Sequence, residues 1–137
     1  MTVKQMLEMY GITLAVFFLI DMVWLGAVAK GFYRKHLGAM LSPKVNWAAA
    51  ILFYLVFIAG LLVFVIRPAL AAGAPVRALA LGALFGLISY ATYDLSNLAT
   101  LKDWPVIVTV VDLVWGTTLG GVVSWAAAAL GRSLLKL

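Results

Sequence analysis

The stretch "WAAAILFYLVFIAGLLVFVI" occupies residues 47–66 and contains no charged side chain. Its length matches the roughly 20 residues that an α-helix needs to cross the hydrocarbon core of a bilayer. An open strand of this composition would leave its backbone N–H and C=O groups unpaired in lipid. The stretch therefore predicts a membrane-spanning helix.

Three further apolar segments of similar length accompany this one, and their Ala, Leu and Gly content also favours helices. The predicted spans cover residues 7–29, 47–66, 76–101 and 106–130. All four prolines fall between these segments or at their ends, where they break no helix interior. We expect an all-α integral membrane protein with a single transmembrane domain over residues 1–137. It would be a four-transmembrane-helix bundle with short loops and one longer basic amphipathic loop at about 30–46.

The composition supports lipid as the solvent of this chain. Of its 137 residues, 66% are hydrophobic and 11% are charged, whereas ordinary soluble domains are roughly 45–50% apolar and about 25% charged. The ten Lys and Arg residues fall between apolar runs, so they are interpreted as membrane-surface anchors rather than as a nucleic-acid interface. The absence of cysteine excludes disulfides, thiolate catalysis and sulfur-ligated metals.

The fate of the first helix and the orientation in the membrane each allow two interpretations. Lys4, the following apolar stretch and "AVA" at residues 27–29 imitate a signal peptide. Asp21 and Trp24 interrupt that stretch, which favours a retained helix over a cleaved one. Each membrane face would carry five Lys or Arg residues, so the positive-inside rule leaves the orientation open.

Three of the five acidic residues, Asp21, Asp94 and Asp112, lie deep inside predicted spans. Asp21 precedes Lys30 by nine residues, Asp94 precedes Lys102 by eight, and Asp112 follows the 102–105 turn. At 1.5 Å rise per residue, each lies roughly 12–14 Å from the same membrane face. Tyr54, on the second span, falls at the same depth. The sequence thus predicts a polar layer slightly to one side of the bilayer midplane.

Three carboxyls in the hydrocarbon core of a membrane are energetically unfavourable, so we expect them to have a function. An Asp at the centre of a membrane helix costs about 2.5–3.5 kcal/mol on insertion scales, and intramembrane ionisable residues usually face the bundle interior and mark function. Tyr90, Asp94 and Asn97 share one helix face, and Asp112 and Trp115 are three residues apart on the next span. These residues are candidates for a ligand-binding site. The alternative is that they only join helices by hydrogen bonds.

No Lys or Arg shares the depth of the three carboxyls. We therefore expect them to share protons or to bond to neighbouring hydroxyl and amide groups, with at least one carboxyl protonated at neutral pH. No zinc motif, phosphate loop or nucleophile elbow is present, and no spacing makes a metal site specific. We predict no metal site, and the sequence assigns no cofactor and no catalytic residue.

Aromatic residues accompany the layer. "DMVW" at residues 21–24 and "DLVW" at residues 112–115 are expected to place Trp24 and Trp115 on opposite sides of it. Tyr93 and Tyr54 would line the apolar part of the site. Trp104 is interpreted as an aromatic-belt residue at the membrane surface. The glycines of "GALFG", residues 82–86, permit close helix approach, for which packing within the chain is preferred to a homodimer.

Five segments together resemble the bacterial membrane-protein family known as domain of unknown function 2177. They are "DMVWLG" (21–26), "GFYRKHLG" (31–38), "LFYLVFIAGLLVFVIRPAL" (52–70), "GALFGLISYATYDLSNLATLKDWP" (82–105) and "TVVDLVWGT" (109–117). The resemblance covers nearly the whole chain, and its most specific part is "YATYDLSNLATLKDWP" (90–105). It implies a small four-helix integral membrane protein, expected in the bacterial cytoplasmic membrane. It carries over no reaction, cofactor or catalytic residue.

Three functions follow as hypotheses. The first is a site that binds, and in one version chemically alters, a hydrophobic or lipid-like small molecule. The second is proton-coupled transport, which would require a dimer and water access from both faces in turn. The third is a structural or accessory subunit whose Asp layer sets the helix register. The first is preferred because residues 78–87 are apolar, which disfavours a polar path across the whole membrane. The partners expected are membrane lipid and a hydrophobic ligand.

Overall fold

The protein is built from helices alone. The computed structural model describes residues 1–137 and contains no strand. Its α-helices are α1 (Val3–Trp24), α2 (Lys30–Leu37), α3 (Trp47–Leu61), α4 (Arg67–Ala71), α5 (Val76–Thr100) and α6 (Val106–Leu134). Two of the joins are helical as well, so four continuous helices are long and apolar enough to cross a membrane: Val3–Met40, Trp47–Ala71, Val76–Thr100 and Val106–Leu134. The predicted four-transmembrane-helix fold is confirmed.

The first helix runs further than the sequence predicted. A π-helical turn at Leu25–Ala29 joins α1 to α2, and a short 3₁₀ turn at Gly38–Met40 follows. Only residues 41–46 of the expected loop at 30–46 lack helical structure. The π turn keeps the chain helical between α1 and α2, with wider i→i+5 backbone bonds. The segment is amphipathic as expected, since α2 buries Leu37 and exposes its Lys and Arg side chains.

The second helix also extends past its predicted end at residue 66. A π-helical turn at Leu62–Ile66 leads directly into α4, which carries Pro68 in its first turn. A proline has no N–H to donate, and here it directly follows the π turn, where the helical hydrogen bonding changes register. The chain reverses after Ala71, where Gly73 adopts the left-handed backbone with φ of 65°. Proline is therefore part of the helix here, and glycine makes the turn.

The α5 and α6 helices pack against each other through glycines. A Cβ added at Gly82 would overlap the carbonyl oxygen of Gly120, and one at Gly86 would overlap that of Gly116. Backbone approach this close is possible only without side chains at the crossing. The small-residue motif at residues 82–86 thus packs within the chain, as the sequence analysis preferred.

The hydrophobic core occupies one half of the bundle, the half that holds both termini. Its members come from the start of α1, the end of α3 with the following π turn, the start of α5 and the end of α6. The largest fully buried of these apolar side chains are Phe17, Met9, Ile58, Leu61, Ile66 and Leu119. The other half of the bundle, nearer the 41–46 loop, is packed less completely and contains the candidate site.

Candidate functional site

A cavity of about 500 Å³ lies between α1, α2, α3, α5 and α6 in this second half of the bundle. Its volume falls within the roughly 300–1,000 Å³ typical of small-molecule sites. Seven of its twelve lining residues are aromatic: Trp24, Tyr33, Phe53, Tyr54, Tyr90, Tyr93 and Trp115. The lining is thus mostly apolar, with hydroxyl and indole N–H groups at the edges of the rings.

Two carboxyls also line the cavity, those of Asp21 and Asp112. Both residues are buried, with 6% of each exposed. Tyr90, from α5, contributes its ring to the lining and lies within electrostatic range of the carboxyls of Asp21, Asp94 and Asp112. Of the predicted polar layer, Asp21, Asp112, Tyr54 and Tyr90 thus line one cavity. No Lys, Arg or His lines the cavity.

Asp112 is held by a residue that the sequence analysis did not select. The hydroxyl of Tyr33 donates a hydrogen bond to Asp112 Oδ1, and the indole N–H of Trp24 lies beside that hydroxyl. Tyr33 reaches the site because α2 continues the first helix past the π turn. The sequence signal was present in the apolar side of "KGFYRKHL", on which Tyr33 is half-buried and Leu37 buried. The sequence analysis nevertheless predicts a loop for this segment.

Asp21 has a different neighbourhood. The indole N–H of Trp115 lies beside its carboxyl, and Tyr54 from α3 is close to it as well. The two carboxyls of the cavity therefore have different neighbours, a tyrosine hydroxyl that bonds to Asp112 and an indole that lies beside Asp21. The bond from Tyr33 holds the Asp112 carboxyl in place.

Asp94 lies behind the cavity rather than in its wall. It is 0% exposed, and neither of its carboxyl oxygens has a hydrogen-bond partner. Its carboxyl faces that of Asp112 across the α5–α6 contact, and the hydroxyl of Thr109 donates to its backbone carbonyl at 3.4 Å. Asn97 also lies outside the lining, beside Tyr93. The two residues thus support the cavity from α5.

The expected placement of Trp24 and Trp115 on opposite sides of the layer is wrong. Their rings stack on each other, with centroids 4.3 Å apart and planes 8° from parallel. The reason is geometric, because side chains on a helix lean toward its N-terminus. On two antiparallel helices the indoles therefore lean toward each other, and they meet at the level of the carboxyls.

The mouth of the cavity lies between α3 and α5. Phe53 of α3 and Tyr93 of α5 line the cavity yet are 48% and 57% exposed. Further along the same two helices the gap is closed, because the rings of Phe57 and Phe85 have centroids 5.6 Å apart. The opening is thus bounded by aromatic side chains on two membrane-spanning helices.

The interpretation of Trp104 as a surface belt residue is also wrong. It is only 9% exposed, and its indole N–H donates to the Thr109 hydroxyl at 3.1 Å. Its ring meets that of Tyr93 edge-on, with centroids 5.8 Å apart. The short 101–105 connection, in which Asp103 takes a positive φ of 64°, turns Trp104 inward. Trp104 thereby supports the wall of the site.

The arrangement combines fixed acceptors with an apolar enclosure. It offers carboxylate and hydroxyl oxygens to a donor or cation, and ring faces to a hydrocarbon or aromatic body. No group of three His, Asp or Glu side chains is placed to hold a metal ion. The chemistry available to a bound molecule is therefore hydrogen bonding, charge pairing and proton exchange.

The model of the DUF2177 family, described as a predicted membrane protein, matches residues 6–129. No curated protein and no solved structure matches the chain. The match spans all four membrane helices and every residue of the cavity. The chain belongs to this family and is an integral membrane protein.

Proposed function

We propose that this member of the DUF2177 family binds a hydrophobic or lipid-like small molecule within the membrane, in the cavity that Asp21 and Asp112 line. The bacterial cytoplasmic membrane is the membrane we propose for it. The observation that carries the proposal is a cavity of about 500 Å³ with two carboxyls and seven aromatic rings in its wall. Apolar concavities with a few convergent polar groups are the usual form of small-molecule sites.

The position of the mouth supports a ligand that comes from the bilayer. Phe53 and Tyr93 are exposed on helices whose outer faces contact hydrocarbon. A molecule dissolved in the membrane would pass between α3 and α5 without entering water. Its apolar body would lie against the rings while its polar end reached the carboxyls at the inner wall.

The fixed geometry of the polar end supports binding over a purely structural role. Tyr33 holds Asp112 beside an open space, and Asp21 lines the same space with Trp115 beside it. A bond that served only to join helices, such as that from Tyr33 to Asp112, would need no open space beside it. Here the two carboxyls border a cavity, where a ligand can complete their hydrogen bonds.

The packing in the half of the bundle that holds both termini favours a site that is closed on that side. It disfavours a transport path through the protein. Leu61, Ile66 and Leu119 are fully buried there, and the glycines of α5 and α6 bring the two backbones into contact. Thr13, a polar residue buried in this half of α1, bonds to its own helix through the Met9 carbonyl at 2.7 Å. A continuous polar route would have to open this packed region.

A second candidate function is acid–base modification of the bound molecule. Asp21 and Asp112 both face the cavity but have different neighbours, an indole and a tyrosine hydroxyl. General acid–base catalysis uses two such groups in distinct environments, one to donate a proton and one to accept it. If the protein only binds its ligand, the molecule that it releases is the one that entered. If it modifies the ligand, the released molecule is chemically different.

Blocking the cavity tests the binding proposal. Ala50 lines it from α3, whereas the adjacent Ala49 is exposed and does not. We expect native mass spectrometry from a mild nonionic detergent to detect a small molecule on the wild type and on Ala49→Trp. Ala50→Trp should lose most of it, because the indole fills the space.

Equal retention by Ala50→Trp and Ala49→Trp would contradict the proposal, as would a wild type that carries no small molecule. The same spectra test the second candidate. Modification predicts that Asp112→Asn holds a molecule whose mass differs from the one held by the wild type. Simple binding predicts the same mass, at lower occupancy.

A further inference from the structure

The ionisable side chains at the cavity include carboxyls but no basic group. Asp21 and Asp112 line it, Asp94 lies directly behind Asp112, and no basic side chain faces it. The nearest cations along the chain, Lys30 and Arg34 on α2, are exposed. The single ion pair of the protein joins Lys4 and Glu8 at the far end of the first helix, at 3.9 Å. The membrane carboxyls therefore have no counter-charge from the protein.

From this we infer that the ligand of the cavity is an amphiphile whose polar end is a cationic ammonium group. The inference rests on the proposed function and names the chemical class of its ligand. An ammonium beside Asp21 and Asp112 would supply the missing counter-charge. A carboxylate, sulfate or phosphate in the same place would add a further negative charge among three carboxyls.

Buried carboxylates without a counter-charge are energetically unfavourable, so a cationic ligand would stabilise the site. Taking a carboxylate out of water costs several kcal/mol unless a charge or good hydrogen bonds compensate for it. Tyr33 supplies a donor for Asp112, while both oxygens of Asp94 have none. Binding of a cation next to Asp112 would favour the ionised form of the whole group.

The aromatic wall points independently to the same chemistry. Ammonium groups are attracted to the faces of Trp, Tyr and Phe rings, and enclosures of several rings are the usual binding sites of quaternary ammonium ligands. Six of the seven aromatic residues in the wall are Trp or Tyr. A neutral apolar ligand would need the apolar surface but not the acidic residues beside it.

Two sources can supply an ammonium on a hydrocarbon chain. One is a zwitterionic phospholipid, which also carries a phosphate, and the other is a simple amine amphiphile. The phosphate of the first would have to remain outside the acidic cavity, near the exposed cations of α2. The two are told apart by comparing head groups on the same chain.

The experiment titrates four decyl probes against the purified protein in a nonionic detergent, with native mass spectrometry as the readout. The probes are decyltrimethylammonium, decylphosphocholine, decanol and decyl sulfate. We expect decyltrimethylammonium to bind at least about tenfold more tightly than decanol, which corresponds to about 1.4 kcal/mol. Decyl sulfate should bind most weakly. Phosphocholine binding equal to trimethylammonium would identify a phospholipid head group, and much weaker binding would identify a simple amine.

Variants of single acidic residues test which carboxyls cause the preference for the cationic probe. Asp21→Asn and Asp112→Asn should each lose the preference for trimethylammonium over decanol, while Glu8→Gln, which removes a carboxyl far from the cavity, should keep it. The comparison of probes on the wild type decides the inference even where a variant does not fold. Decanol binding as tightly as the cation, or decyl sulfate binding more tightly, would overturn the inference and leave the proposed function standing. Binding of none of the four would overturn both.

Discussion

The hydroxyl of Tyr33 donates a hydrogen bond to the Asp112 carboxylate, although 79 residues separate them along the chain. The bond joins the extension of the first helix to the last one and brings α2 over the cavity. Asp112 in turn faces Asp94 of α5. A single contact thus connects the segment after the π turn to the buried pair of carboxyls, and the geometry of the site depends on it.

Removal of this hydroxyl should destabilise the fold. We predict that Tyr33→Phe lowers the free energy of unfolding by about 1.5–3 kcal/mol, the range for a hydrogen bond to a charged group. Tyr10→Phe is the matched control, because the Tyr10 hydroxyl bonds to the neutral Leu55 carbonyl at 2.8 Å. That change should cost about 0.5–1.5 kcal/mol. Reversible unfolding in mixed detergent micelles measures both, and a smaller effect at Tyr33 than at Tyr10 would contradict the structure.

The buried carboxyl pair makes a prediction about protonation. Asp94 is fully buried, has no donor for either oxygen and faces Asp112. Two neighbouring carboxyls in such a place can satisfy each other by sharing one proton. We expect the infrared spectrum at neutral pH to contain the C=O stretching band of a protonated carboxyl. Asp94→Asn should remove this band, and Glu8→Gln should leave it unchanged. A wild type without the band, or a band that survives Asp94→Asn, would refute the shared proton.

The spans were predictable from the sequence because membrane helices are set by length and hydropathy, which are local properties. Residues 47–66 carry no charge, and the carboxyls of Asp21, Asp94 and Asp112 could be placed at one depth by counting the rise per residue. The helix ends were less predictable. Both π turns, at Leu25–Ala29 and Leu62–Ile66, occur in apolar sequence that looks like ordinary α-helix.

The lateral arrangement of the site was not predictable, because depth says nothing about which side chains meet across helices. Tyr33 was missed since its segment was assigned to a loop, and its partner Asp112 lies on the last helix. The positions of Trp24 and Trp115 along their antiparallel helices predict indoles apart from each other, whereas the lean of side chains along a helix brings them together. Trp104 was assigned to the surface from composition alone, and the turn at Asp103 directs it inward.

The stacked indoles have an optical signature. Two parallel indoles with centroids 4.3 Å apart couple their electronic transitions, so we expect an exciton couplet in the circular dichroism spectrum. Trp24→Phe and Trp115→Phe should each abolish it to the same extent, because either change leaves one indole. Trp125→Phe, which removes an exposed indole that stacks on no other ring, should preserve it. A couplet that persists in only one of the two variants would contradict the pairing.

The glycine contact between α5 and α6 predicts a difference between otherwise identical substitutions. Gly86→Ala would place its Cβ against the Gly116 carbonyl, which is backbone and cannot rotate away. Overpacking of this kind costs about 1–3 kcal/mol. Gly11→Ala on α1 meets nothing within 4 Å and should be neutral or stabilising, by up to about 1 kcal/mol, since Ala favours helix.

Unfolding at two protein concentrations separates this contact from a dimer interface. The loss of stability in Gly86→Ala should be the same at both concentrations, because the contact lies within one chain. A loss that grows on dilution would mean that the glycines join two copies of the protein instead. Equal stability of Gly86→Ala and Gly11→Ala would mean that α5 and α6 are further apart than the structure has them.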